Sequence, residues 1–97
     1  MVTAISLIKA ARRGINVAAQ KLADIEGITE VYSVAGKYDL IAVIRAPSNE
    51  KMADIVTNHM LTIEGIIDTE TMIAFRCFSR HDLESMFSIG FAPENRQ

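Results

Sequence analysis

The residues best suited to chemistry lie in one short run, Val34-Ala35-Gly36-Lys37-Tyr38-Asp39-Leu40. Asp39 shares a strand face with Ile41 and Val43, so its carboxylate is drawn toward apolar surroundings. An unpaired charge there is costly, and a cationic partner relieves it. A turn built on Gly36 offers backbone N–H groups to an anion. Donors for a carboxylate beside an acceptor for an ammonium are what a free amino acid needs. The competing reading is a plain hairpin turn in which Asp39 bonds nearby backbone. The residues alone favour that second reading.

The other reactive side chains form no catalytic set. His59 and His81 have no Cys, Asp or Glu beside them at metal-ligand spacing. His59 falls on the apolar face of an expected helix and reads as a core or interface histidine. Asp82, next to His81, reads as a helix cap. Asp68 and Glu70 share one strand face, a pair of solvated strand-edge acids. Cys77 is the single cysteine and cannot close an internal disulfide, so it reads as a small hydrophobe in a reducing compartment. No phosphate loop is present. The expectation is therefore a protein that is not an enzyme and holds no metal and no cofactor.

The elements that must position these residues follow from periodicity. Residues 2–8 alternate loosely and read as a strand, punctuated by Arg12-Arg13-Gly14. Ile15, Ala18, Ala19, Leu22 and Ile25 line one face of a helix that Gly27 stops. Residues 29–35 and 38–45 are rich in β-branched and aromatic side chains and flank Gly36-Lys37, a hairpin signal. Ser48, after Pro47, is a helix N-cap. The helix it opens has the face Met52, Ile55, Val56, His59, Met60 and Ile63, and Gly65 closes it. Residues 66–78 read as a long strand with Thr69, Thr71, Ile73 and Phe75 on one face. Ser79 through Asp82 has capping-box spacing for a short helix around Leu83, Met86 and Phe87, and residues 92–97 read as a frayed tail.

A short echo joins the two halves: Ile25-Glu26-Gly27-Ile28 recurs as Ile63-Glu64-Gly65-Ile66. Each copy ends a helix and opens a strand, as a split βαβ arrangement requires. The expected fold is α+β, a ferredoxin-like βαββαβ domain with a four-stranded antiparallel sheet and two helices on one face. One domain fills residues 1–97, with a core over 2–78 and an extension over 79–97.

Composition argues that this domain is not alone. Hydrophobic residues make up 49% of the 97, and the mean hydropathy is +0.19. A chain of this size buries only about 60% of its unfolded surface, so its own core absorbs little of that. Leu40, Ala42 and Ile44 point one way from their strand while Ile41 and Val43 point the other. Helices on one face leave the second face bare, and a second copy of the sheet is the simplest lid. Met86, Phe87, Ile89 and Phe91 are also too apolar for a free tail; the alternative is that they fold back over their own sheet. The net charge of −2, with no basic stripe, speaks against direct nucleic-acid binding. No apolar run reaches membrane-spanning length, and the N-terminus has no leader pattern, so the expected location is the cytoplasm.

Three segments carry a family resemblance: residues 25–31 (Ile-Glu-Gly-Ile-Thr-Glu-Val), residues 34–40, and residues 69–75 (Thr-Glu-Thr-Met-Ile-Ala-Phe). The sequence resembles the effector-binding domain of the Lrp/AsnC family of amino-acid-responsive regulators, also called the RAM domain, from Val2 to about Phe78. The resemblance implies sheet-to-sheet dimers that join into octamers or decamers, with amino acids bound between dimers. It implies a pocket of Gly36, Lys37, Tyr38 and Asp39, with Thr69 and Thr71 supplied by a facing subunit. Full-length members carry a helix-turn-helix domain ahead of this one. Here the first strand starts at Val2, so the resemblance is to a stand-alone form without a DNA-binding domain. It would modulate transcription indirectly, by co-assembly with a full-length Lrp/AsnC regulator or by buffering an effector. The alternatives are a small dimeric α/β-barrel enzyme, for which His59 in a cleft between sheet and helices is the candidate, and a purely structural assembly module.

Overall fold

In the computed structural model, which describes residues 1–78 and Arg80, the chain runs β1 (Val2–Ala10), a 3-10 turn (Arg12–Gly14), α1 (Ile15–Ala23), β2 (Ile28–Ser33), β3 (Leu40–Ala46), α2 (Asn49–Asp54) and β4 (Ile66–Ala74). The four strands form one antiparallel sheet in the order β2-β3-β1-β4. This is the expected ferredoxin-like α+β fold. The readings placed on residues 79 and 81–97, including the short helix and the apolar tail, lie outside the described residues.

Strand periodicity sorts the sheet into two faces. Ala4, Ser6, Ile8 and Ala10 of β1 and Leu40, Ala42, Ile44 and Ala46 of β3 are buried. They meet Ala18 and Leu22 of α1 and Met52, Ile55 and Met60 of the second helical segment, all of one core. The opposite face carries Ile5 and Leu7 of β1, Ile41 and Val43 of β3, Tyr32 of β2 and Met72 of β4. None of these is buried. The sheet is thus apolar on both faces, and the helices cover one.

The sequence echo has a structural counterpart. Gly27 and Gly65 both take left-handed backbone, with φ of 101° and 100°. In each turn the following isoleucine N–H returns to the preceding isoleucine carbonyl, at 3.1 Å for Ile28 to Ile25 and 3.4 Å for Ile66 to Ile63. In each, too, the glycine carbonyl accepts from a residue at a strand end, Arg45 N–H on Gly27 and Ala11 N–H on Gly65, both at 2.7 Å. The surroundings differ. A Cβ on Gly27 would stand 2.5 Å from Ile55 Cδ1 and 3.3 Å from the Arg45 carbonyl, whereas one on Gly65 meets nothing within 4 Å. Both Gly→Ala variants should be destabilised by the backbone, by about 1 kcal/mol or more. Gly27→Ala should lose distinctly more, because Ile55 must also repack. Comparing their thermal midpoints checks this; equal losses would mean that the Ile55 contact relaxes without cost.

Three expectations are corrected. The last strand stops at Ala74 rather than 78, because β1 ends: Thr3 is the last residue to pair with it, opposite Ala74. Phe75 is consequently 98% exposed. The hairpin loop is longer than Gly36-Lys37, since β2 ends at Ser33 and β3 begins at Leu40. The second helix begins as expected, with the Lys51 N–H donating to Ser48 Oγ at 3.1 Å, but it turns π-helical over Ile55–Met60. Leu61 N–H reaches back five residues to the Val56 carbonyl. Side chains compete with the backbone there, Thr57 Oγ1 donating to the Ala53 carbonyl and Thr62 Oγ1 to the His59 carbonyl. The wider turn rotates His59 off the apolar face, so it is exposed rather than in the core.

Candidate functional site

The loop from Val34 to Asp39 is closed at its neck, where the Val34 N–H donates to the Asp39 carbonyl at 3.0 Å. It is also tied to the end of β1. Asp39 N–H donates to the Ile8 carbonyl at 2.8 Å, the last ordinary rung before β3. The next rung is made by a side chain: Ala10 N–H donates to Asp39 Oδ2 at 2.9 Å. The carboxylate stands in for a ladder carbonyl at the point where β1 shifts register against β4, between Lys9 and Ala10. Lys9 Nζ then donates to the Lys37 carbonyl at 3.2 Å. The Asp39 carboxylate therefore bonds backbone, but backbone of a distant strand rather than of its own turn.

Tyr38 is half-buried and reaches past β1 to β4, where its hydroxyl donates to Glu70 Oε1 at 2.7 Å. Accepting that hydrogen bond, the Glu70 carboxylate raises the phenol above its ordinary pKa, with partial burial and the charges of Glu70 and Asp68 adding to the effect. Gly36 at the tip is exposed, with φ of 141° and open space where a Cβ would be. The loop thus presents a left-handed glycine backbone, a lysine and a bonded carboxylate at one end of the sheet.

Thr69 and Thr71 are placed differently. Both lie on the helix side of β4, opposite Ile8 and Ser6. Thr71 Oγ1 is 3.0 Å from Ser6 Oγ, the one buried polar side chain among the described residues. The Thr69 N–H donates to Asp68 Oδ1 at 2.9 Å. Among the described residues no hydrogen bond joins either threonine side chain to the loop. Lys9, Ala10 and Glu70 are the participants that sequence reasoning passed over. Glu70 was visible as half of the Asp68/Glu70 pair, but a rung made by an alanine N–H leaves no trace in residue types.

Elsewhere, His59 Nε2 lies 3.4 Å from Asp54 Oδ2. The Asp54 carboxyl is held below its ordinary value chiefly by the Asn58 amide, against an opposing effect of desolvation, with His59 and Lys51 adding lesser downward contributions. His59 borders an open groove of about 320 Å³ with Asp24, Glu26 and Lys51. Its lining comes from the second helical segment and from the end of α1 and the turn after it, with no residue of a strand. Among the described residues no three His, Cys, Asp or Glu side chains are grouped to hold a metal ion, and no helix is long and apolar enough to cross a membrane.

Comparison with known proteins decides the family. The family model for the Lrp/AsnC ligand binding domain matches residues 3–83. The chain belongs to the Lrp/AsnC ligand-binding domain family. A curated relative of this Lrp/AsnC domain, an uncharacterized HTH-type transcriptional regulator of Pyrococcus horikoshii, is 39% identical over 57 residues, which are 59% of this chain and 38% of the regulator. The Lrp/AsnC domain described here thus matches well under half the length of that regulator. Among solved structures, a protein of Thermus thermophilus is 39% identical with a TM-score of 0.77, covering 82% of this chain and all of that one. AsnC of E. coli is 25% identical with a TM-score of 0.74, over 78% of this chain and 52% of its own. A transcriptional regulator of Neisseria meningitidis, solved as a complex with L-Met, shares the fold at 11% identity and a TM-score of 0.73, over 81% of this chain and 53% of its own.

Proposed function

We propose that this Lrp/AsnC domain is a non-catalytic amino-acid sensor whose effector site is built on Gly36, Lys37, Tyr38 and Asp39. The observation that carries the reading is the tethered loop: an exposed glycine backbone next to a carboxylate of which, among the described residues, one oxygen is engaged, by Ala10. The other Asp39 oxygen suits an α-ammonium group. The N–H groups around Gly36, with the Lys37 side chain, suit an α-carboxylate. The L-Met complex of the Neisseria regulator supports the choice of ligand class.

In the same proposal the open sheet face joins two copies, and dimers assemble into an octamer or decamer. Thr69 and Thr71 complete the site from a facing copy. The domain acts on transcription indirectly, by entering assemblies of a full-length Lrp/AsnC regulator or by holding effector. A second reading, a structural assembly module, is favoured by one specific observation: Asp39 already has a structural partner in Ala10.

Thermal unfolding against twenty free amino acids, each at millimolar concentration, separates the two. A ligand at a hundred times its dissociation constant adds about 2.7 kcal/mol, several degrees for a domain of this size. A selective upward shift is expected. A flat panel would leave the assembly module as the reading.

A further inference from the structure

We infer that Glu70 is a positioning residue of the amino-acid site, acting through Tyr38; this rests on the sensor reading. Among the described residues Glu70 makes no hydrogen bond to the loop backbone. It sits on edge strand β4, opposite Leu7 of β1, while the loop lies beyond β1, between β2 and β3. The 2.7 Å bond from the Tyr38 hydroxyl to Glu70 Oε1 spans that distance.

Among the described residues, the other hydrogen bonds that tie the loop to the rest of the sheet come from β1. Ile8 holds the Asp39 N–H, Ala10 holds the Asp39 carboxylate, and Lys9 holds the Lys37 carbonyl. These fix residues 37 and 39 from one side. Gly36 is exposed, with open space where a Cβ would be, and no side chain of its own to anchor it. Tyr38 is the residue between the two anchored positions, and among the described residues Glu70 is the hydrogen-bond partner that holds its side chain from the far side of β1. A phenol is protonated at neutral pH in any case, and the Glu70 carboxylate raises its pKa further, so the hydroxyl remains the donor. With the bond made, the N–H groups of residues 36–38 are held in place before the ligand arrives. With it broken, binding must also order them, and affinity falls.

Three variants test this: Tyr38→Phe and Glu70→Ala, which remove donor and acceptor, and Glu70→Gln, which keeps an acceptor oxygen. Two measurements are made on each, the affinity for the amino acids of the twenty-member panel and amide hydrogen exchange of residues 36–38 in the free protein. Tyr38→Phe and Glu70→Ala should each weaken binding by about three- to tenfold and speed exchange in the loop while leaving β1 unchanged. Glu70→Gln should recover both. The double variant Tyr38→Phe/Glu70→Ala should be no worse than either single one, as expected for two ends of one interaction. Affinity unchanged in Glu70→Ala, with the wild-type protein binding normally, overturns the inference alone. So does faster exchange without weaker binding. A wild-type protein that binds none of the panel removes the sensor reading, and the inference with it.

Discussion

Asp39→Asn is expected to fold normally and to lose its response to amino acids, while Asp39→Ala should lose both the response and stability. The difference lies in what the carboxylate does. One oxygen accepts the Ala10 N–H at 2.9 Å, and Ala10 is 6% exposed. Alanine at position 39 strands that buried donor, at a cost of about 1–3 kcal/mol. Asparagine presents a neutral oxygen at the same place and keeps the rung. What asparagine cannot supply is the negative charge proposed to meet an α-ammonium, and a charge-assisted bond is roughly twice as strong as a neutral one. The measurement is the ligand-induced shift of the unfolding midpoint in both variants, beside the midpoint without ligand. A full ligand shift in Asp39→Asn would mean that Asp39 is a strut of the sheet and that the ammonium is held elsewhere. A ligand-free midpoint in Asp39→Ala equal to wild type would mean that the Ala10 rung finds another acceptor.

Ile5→Glu is expected to abolish the proposed sheet-to-sheet association and leave folded monomers. Ile5 is at the middle of the open face, directly across from Val43 on one side and Met72 on the other. Already 36% exposed in the single chain, it leaves room for glutamate to stay solvated in a monomer. Beside it is a hollow of about 400 Å³, edged by Val43, Arg45, Phe75 and Arg76. If a second sheet covers this face, each apolar side chain that loses its water contributes about 1.5–3 kcal/mol to association. A glutamate trapped there must either shed its charge or lie unpaired in an apolar layer, and that cost exceeds what one isoleucine contributed. Light scattering coupled to size exclusion reads the mass directly, with Ile5→Val as the control that should remain assembled. A mass unchanged in Ile5→Glu would put the contact between copies on another surface.

The elements were legible because their signals are local. The N-cap of Ser48, the two Ile-Glu-Gly-Ile turns and the alternation of Leu40 through Ile44 all depend on neighbours a few residues away, and the structure has each of them. Where partners are distant, the reading failed. The end of β4 depends on where β1 runs out, far earlier in the chain, and no property of residues 75–78 reveals it. The π-helical stretch depends on the balance between Thr57, Thr62 and the backbone, and its consequence was a histidine assigned to the wrong face. In the candidate site the residue types of the loop were evident, but their tethers were not. Lys9 carried no signal of a site and Glu70 read as a solvated acid, because a bond across the sheet has no sequence period.

The position of β1 has a consequence for how the chain reaches this structure. Only β2 and β3 are neighbours both in sequence and in space. The central strand is made before both of its partners: Ile8 must wait for Leu40 on one side and Thr69 on the other. Closing loops of that length is what slows folding in proteins of non-local topology. The β2–β3 hairpin is therefore the natural first structure. An emerging chain holds Ile5, Leu7 and Ile8 unpaired until β3 has left the ribosome, and the sheet cannot be completed before Ala74 follows.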